Sequence, residues 1–191
     1  MDFRQRIFQY RSYIPLPFLL LMIFFAQPNL QSIAAGLVVV LTGEFIRLWG
    51  VSIAGSETRT TGPVGGTFLI TKGPFAYVRN PLYVGNIVIY CGFGIMAKAL
   101  WLLLMAFIFF TIQYTLIVSL EEEHLLKAFG DDYRRYSGAV PRFFPTGKKF
   151  TGGTNIQPGL EWARGIVSEK STLLAITLVT LLMVAYTFYR G

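Results

Sequence analysis

Apolar residues fall into five runs: Tyr13–Ala26, Ile33–Ala54, Leu82–Ala97, Ala99–Leu120 and Ser171–Tyr189. A bilayer core about 30 Å thick takes roughly 20 helical residues, so the second, fourth and fifth runs read directly as spans. The first is short and holds Pro15 and Pro17, tolerated near a helix start, with Pro28 marking its far end. Leu82–Ala97 is also short, and only Lys98 separates it from the next run, which predicts a tight helical hairpin rather than one long helix. Arg4, Arg6 and Arg11 ahead of the first run outline a secretory signal. No small-x-small cleavage site follows in Phe24-Phe25-Ala26-Gln27-Pro28, so the run is read as an uncleaved span. The pattern predicts an all-α fold, a polytopic membrane helix bundle with about five transmembrane helices.

Composition strengthens that reading. Of 191 residues, 53% are hydrophobic and 14% charged, against roughly 25% charged in an average soluble domain. Disorder, a collagen-like fibre and an ordinary cytosolic enzyme are excluded. Charge then sets the orientation. With five spans, Arg4, Arg6 and Arg11 share one side with Arg59, Lys72 and Arg79 of the 55–81 loop. Lys127, Arg134, Arg135, Arg142, Lys148, Lys149, Arg164 and Lys170 of the 121–170 segment join them. The other side keeps only Lys98 and Arg190, and Arg47 lies within a span. That bias predicts a multi-pass protein with its N-terminus and both long segments cytoplasmic. The net charge of +7 is then topology and attraction to an anionic membrane surface, not a nucleic-acid footprint. Cys91 is the one cysteine and His124 the one histidine, which leaves no disulfide framework and no ordinary metal-ligand set.

Three polar regions exceed what an inert bundle needs. Glu44 and Arg47 sit inside the second span, where each charge costs about 2.5–3.5 kcal/mol on insertion scales. Their i,i+3 spacing permits a local ion pair that serves as a registry device, or a ligand-facing charge in a polar cavity. The second region runs from Thr71 to Asn86, with turns at Gly73-Pro74 and Asn80-Pro81 and a helix starting at Pro81. Asn80 is then a natural N-cap whose side chain satisfies free backbone N–H groups. Capping does not explain Lys72, Tyr77, Arg79 and Tyr83 around the same helix start, an arrangement suited to a carboxylate or phosphate. The third region is Glu121-Glu122-Glu123-His124, carboxylates on the basic side of the protein, suited to ribose hydroxyls, an ammonium or a sulfonium. His124 is read as surface-exposed among charges. A short amphipathic helix through Tyr133 and Tyr136 follows, then an extended, Pro-bounded segment from Val140 to Pro145 folding back over the pocket. The two tyrosines suit interface anchoring and pocket lining equally.

Taken in order, residues 73–85 (Gly-Pro-Phe-Ala-Tyr-Val-Arg-Asn-Pro-Leu-Tyr-Val-Gly), Glu121-Glu122, Phe129-Gly130-x-x-Tyr133 and Val140-Pro141-Arg142-Phe143 resemble the isoprenylcysteine carboxyl methyltransferase / phospholipid methyltransferase superfamily. Ile46-Arg47-Leu48-Trp49 is similar to that group's second-span motif, and the resemblance covers about residues 36–145. It implies an integral membrane enzyme using S-adenosylmethionine, no metal, a cytoplasmic-face cofactor pocket, and a lipophilic acceptor entering sideways from the bilayer. Lys72, Gly73, Tyr77, Arg79, Asn80, Tyr83 and Gly85, with Glu121 and Glu122, are the implied cofactor-binding residues. Glu122 and Arg142 are the candidate catalytic residues, and Glu44, Arg47, Tyr133 and Arg142 the candidate acceptor-side residues. The family most often has His where this chain has Asn80. The phosphatidylethanolamine N-methyltransferase branch is similar in its Asn-Pro-x-Tyr-x-Gly pattern, which leans the reading toward a phospholipid amine over a prenylcysteine carboxylate.

The expected organisation is a membrane core over 1–145, with cytoplasmic loops 55–81 and 121–145, a cytoplasmic linker over 146–170, and an additional C-terminal span over 171–191 that clamps the bundle or mediates homo-oligomerisation. The rival readings are an NADPH-dependent sterol-type reductase and a non-catalytic transporter or scaffold. Against the latter, no internal repeat is visible.

Overall fold

The computed structural model describes residues 3–55, 68–153 and 157–190. Most of the expected 55–81 loop before Phe68, with Arg59, lies outside the described residues, as do residues 154–156 of the expected linker. Among the described residues the fold is all helical: α1 (Phe3–Tyr10), α2 (Leu16–Phe24), α3 (Leu30–Ala54), α4 (Pro81–Ala97), α5 (Leu100–Ala139) and α6 (Trp162–Arg190), with a 3-10 turn at Gly73–Ala76 before α4. Helices α3, α5 and α6 are long and apolar enough to cross a membrane; α4 is a shorter apolar helix.

The first apolar run is helical over only nine residues, because Pro15 stands at the N-cap of α2 and Pro17 in its first turn. At 1.5 Å per residue this helix alone is about 13 Å long, well short of a bilayer core. Its far end meets the α4–α5 hairpin, where Gln27 N–H donates to the Ala97 carbonyl and the Phe25 ring lies 5.4 Å from Trp101. Asn29 and Ser32 then form a capping box that starts α3, and the Ser32 hydroxyl also donates to the Met96 carbonyl. The hairpin turns on Lys98, in the left-handed region at φ 53°.

The most extensive contact is between antiparallel α3 and α4. Gly36 and Gly43 on α3 face Gly92 and Gly85 on α4, seven residues apart on each helix and so on one face of it. A Cβ on Gly36 would stand 2.5 Å from the Gly92 carbonyl oxygen, and one on Gly43 2.7 Å from that of Gly85. The two backbones therefore touch along a seam with no room for a methyl group.

Helix α5 has 40 residues, about 60 Å of rise, twice a bilayer core. Its apolar half ends at Leu120, and the polar half from Glu121 projects beyond. Gly130, at φ 50° and ψ −120°, kinks it where the sequence pattern placed a new amphipathic helix. Helix α6 starts at Trp162, nine residues before the apolar run at Ser171, so the end of the expected linker is helical. It packs chiefly on α3, with Glu161 N–H donating to the Ser52 carbonyl.

Candidate functional site

The Thr71–Asn86 segment is fixed from both sides. Gly73 adopts φ 58°, and a Cβ there would run into Ile53 and lie 3.2 Å from the Trp49 indole nitrogen, so its lack of a side chain seats the 3-10 turn on α3. The chain after α5 returns across this turn: Arg79 N–H donates to the Pro141 carbonyl (2.9 Å) and Phe150 N–H to that of Ala76 (2.9 Å). Asn80 does stand at the N-cap of α4, but its side chain makes no capping bond. Its amide donates instead to the Arg142 carbonyl at 3.1 Å, tying the return segment to the helix start.

The Glu pair divides its partners. Glu122 accepts from Arg142 through Nε (3.1 Å) and Nη2 and lies 3.3 Å from Arg79 Nη2. Glu121 accepts from the Tyr83 hydroxyl at 2.8 Å, and Arg11, from the turn after α1, interacts with it electrostatically. Tyr133 is buried, its hydroxyl makes no hydrogen bond among the described residues, and burial pushes its phenol up to about 12. Tyr136 is buried beside it and donates to the Phe75 carbonyl at 2.8 Å. Arg79 keeps a buried Nε–H with no partner among the described residues.

These groups surround a cavity of about 680 Å³, within the ordinary range for ligand sites. Arg79, Asn80, Glu121, Glu122, His124 and Tyr133 line one part of it, with Arg11 and Phe8. Leu16 and Leu19 of α2, Ile89, Tyr90 and Phe93 of α4, and Ala175 and Ile176 of α6 line an apolar part. Of the residues singled out from sequence, Arg47, Arg79, Asn80, Tyr83, Glu121, Glu122 and Tyr133 meet on this cavity. Lys72, Gly73, Tyr77, Gly85, Glu44 and Arg142 do not line it. Lys72 is exposed, Gly85 faces α3 in the glycine seam, and Arg142 reaches the site through Glu122. His124, read as a surface residue, is half-buried and on the cavity wall, next to Glu123, which pairs with Arg4 of α1.

Sequence reasoning missed Arg11, Asn86, Tyr114 and Glu169. Glu169 is fully buried, and both its oxygens accept from Arg47 Nη2, at 2.9 and 2.7 Å. Arg47 Nη1 donates to Asn86, while Glu44, the expected i,i+3 partner, stands 3.7 Å from Nε. The available signal was the guanidinium itself, whose five donors exceed what one neighbour on its own helix can take.

The donor set fits S-adenosylmethionine. Arg79 offers a buried N–H to a carboxylate, and Glu121 and Glu122 offer acceptors to ribose hydroxyls or an ammonium.

The phospholipid methyltransferase family matches over residues 31–132. The cobalt-zinc-cadmium resistance protein CzcN of Cupriavidus metallidurans is 31% identical over 100 residues, 52% of this chain and 42% of the relative. The nickel-cobalt-cadmium resistance protein NccN of Alcaligenes xylosoxydans xylosoxydans is 30% identical over 114 residues, 59% of this chain and 49% of the relative. The aligned region spans about half the length of each of these relatives or less. No solved structure matches the chain. With more than half of its length matched, the chain belongs to the phospholipid methyltransferase family, in the isoprenylcysteine carboxyl / phospholipid membrane methyltransferase superfamily.

Proposed function

We propose that this chain is an integral membrane methyltransferase that uses S-adenosylmethionine and methylates a lipophilic acceptor reached from the bilayer, with a phospholipid amine as the favoured head group. The observation that carries the reading is the joining of a charged part and an apolar part in one cavity beside the α3–α4 seam. The cofactor supplies a methyl group already activated on a sulfonium. The protein's work is then mainly positioning and electrostatics. Arg79 holds a carboxylate, Glu121 and Glu122 take hydroxyl or ammonium donors, and Arg142 keeps Glu122 oriented. An amine acceptor must shed a proton, and Glu121, open to the cavity and held by Tyr83, is the group placed to take it. Leu16, Leu19, Phe93 and Ile176 suit the acyl or prenyl part of the acceptor. A prenylcysteine carboxylate is the second reading. Asn80, in the Asn-Pro-x-Tyr-x-Gly pattern similar to the phosphatidylethanolamine branch, favours the amine.

Five crossings with a cytoplasmic site are part of this proposal. Support comes from the path of the first segment. Arg4 pairs with Glu123 at one end of the bundle and Gln27 meets Ala97 at the other, so α1, the turn and α2 together traverse it.

The test is calorimetry of S-adenosylmethionine on the detergent-purified full chain, with NADPH as control. Micromolar binding that Glu121→Gln with Glu122→Gln abolishes, followed by label transfer to phosphatidylethanolamine rather than a farnesylated cysteine, is the expected result. NADPH binding in its place, or no binding in nanodiscs, defeats the reading.

A further inference from the structure

Helix α6 lies outside the family-matched residues 31–132, yet it carries Glu169, Ser171, Thr172, Ala175 and Ile176 onto the cavity wall. Arg47 is seven residues from the end of α3 and Glu169 seven from the start of α6, so their pair lies about 10 Å inside the helical bundle. A charge pair there is costly unless hydrogen bonds hold it, and Glu169 takes Arg47 Nη2 with both oxygens, while Arg47 Nε stands 3.7 Å from Glu44 without a hydrogen bond. The same guanidinium then donates its other arm to Asn86 on α4. Asn86 lies beside Tyr114 on the cavity wall and one turn along α4 from Tyr83. The Tyr114 ring packs on Tyr83 with centroids 4.7 Å apart, and the Tyr83 hydroxyl donates to Glu121. Contact is thus continuous from the C-terminal helix to the carboxylate assigned above to the reacting end of the cavity.

We propose that Glu169 is a positioning residue: by holding Arg47 on Asn86 it keeps the Tyr114–Tyr83 pair seated so that Tyr83 donates to Glu121. Only the use made of Glu121 rests on the methyltransferase reading; the linkage is a property of the ligand-free protein. The groups facing Glu121 are Tyr83 from α4, Arg11 from the turn after α1, and Glu122 on its own helix. A donor to a carboxylate favours the ionised form, so loosening Tyr83 raises the pH at which Glu121 ionises. Simple removal of the Glu169 charge acts in the opposite direction, which separates the two effects.

The experiment is an infrared pH titration of the ligand-free full chain in nanodiscs, the Glu121 carboxyl band being the one lost in Glu121→Gln. Glu169→Gln is expected to raise its midpoint by roughly one pH unit, the scale of one charge-assisted hydrogen bond. Arg47→Met combined with Glu169→Met keeps packing volume and net charge, serves if the single variant fails to fold, and is expected to give the same rise. Asn86→Leu, which keeps the Arg47–Glu169 pair, is expected to do so too. An unchanged or lowered midpoint in folded Glu169→Gln, or in the double variant, overturns the proposal, as does an unchanged midpoint in Asn86→Leu. Failure of wild-type S-adenosylmethionine binding defeats the proposed function and leaves this linkage to stand or fall on the infrared result.

Discussion

Tyr133 shows how a single side chain reports on its surroundings. Burial near Glu122 raises its phenol from 10.0 to about 12. The unfolded chain ionises this group near its ordinary value, so its contribution to stability is complete below pH 10 and is lost as pH rises through about 12. Melting in detergent across that window is expected to fall further in the wild type than in Tyr133→Phe, by on the order of 3 °C. Individual residues were unevenly legible. Tyr83, Arg79 and the Glu pair declared themselves because charged and phenolic groups crowd a helix start and a helix exit. Gly85 and Gly73 did not, since a glycine in a motif looks the same whether it faces a ligand or another backbone. Only the packing distances to Gly43 and Ile53 separate the two cases.

At the scale of elements, the α4–α5 hairpin could be read from Lys98, because one polar residue between two apolar runs must leave the bilayer. The Gly130 break was legible as a change of helix because glycine there takes a positive φ. The nine-residue α2 was not, since hydrophobicity marks which segment avoids water and says little about how much of it is helical beside two prolines. The seam between α3 and α4 supplies a sharp test. Gly43→Ala places a methyl 2.7 Å from a backbone carbonyl and is expected to cost about 1–3 kcal/mol in detergent unfolding. Gly138→Ala, in a helix with nothing within 4 Å, is expected to be neutral or to stabilise by up to about 1 kcal/mol.

For the whole molecule, the positions of Lys and Arg predict which side of the membrane each segment faces, and labelling decides it. With Cys91→Ala as background, Lys98→Cys is expected to react with an impermeant maleimide from outside the cell. Lys149→Cys is expected to react only after permeabilisation. Equal reaction of both from outside, or the reverse order, refutes the cytoplasmic site. The closure of the cavity by both chain ends was beyond the reach of the sequence. Arg11 and Glu169 are distant in the chain, and each taken alone passes for a flanking charge.

The glycine seam has a consequence for how such a protein diversifies. Helices α3 and α4 meet backbone to backbone at Gly36, Gly43, Gly85 and Gly92 and tolerate almost no drift there. Leu16, Leu19, Ala175 and Ile176 instead line the cavity, where a change of side-chain size alters its shape rather than the seam. The expectation is a fixed middle and variable ends, the ends being where the shape of the cavity can change without disturbing the seam.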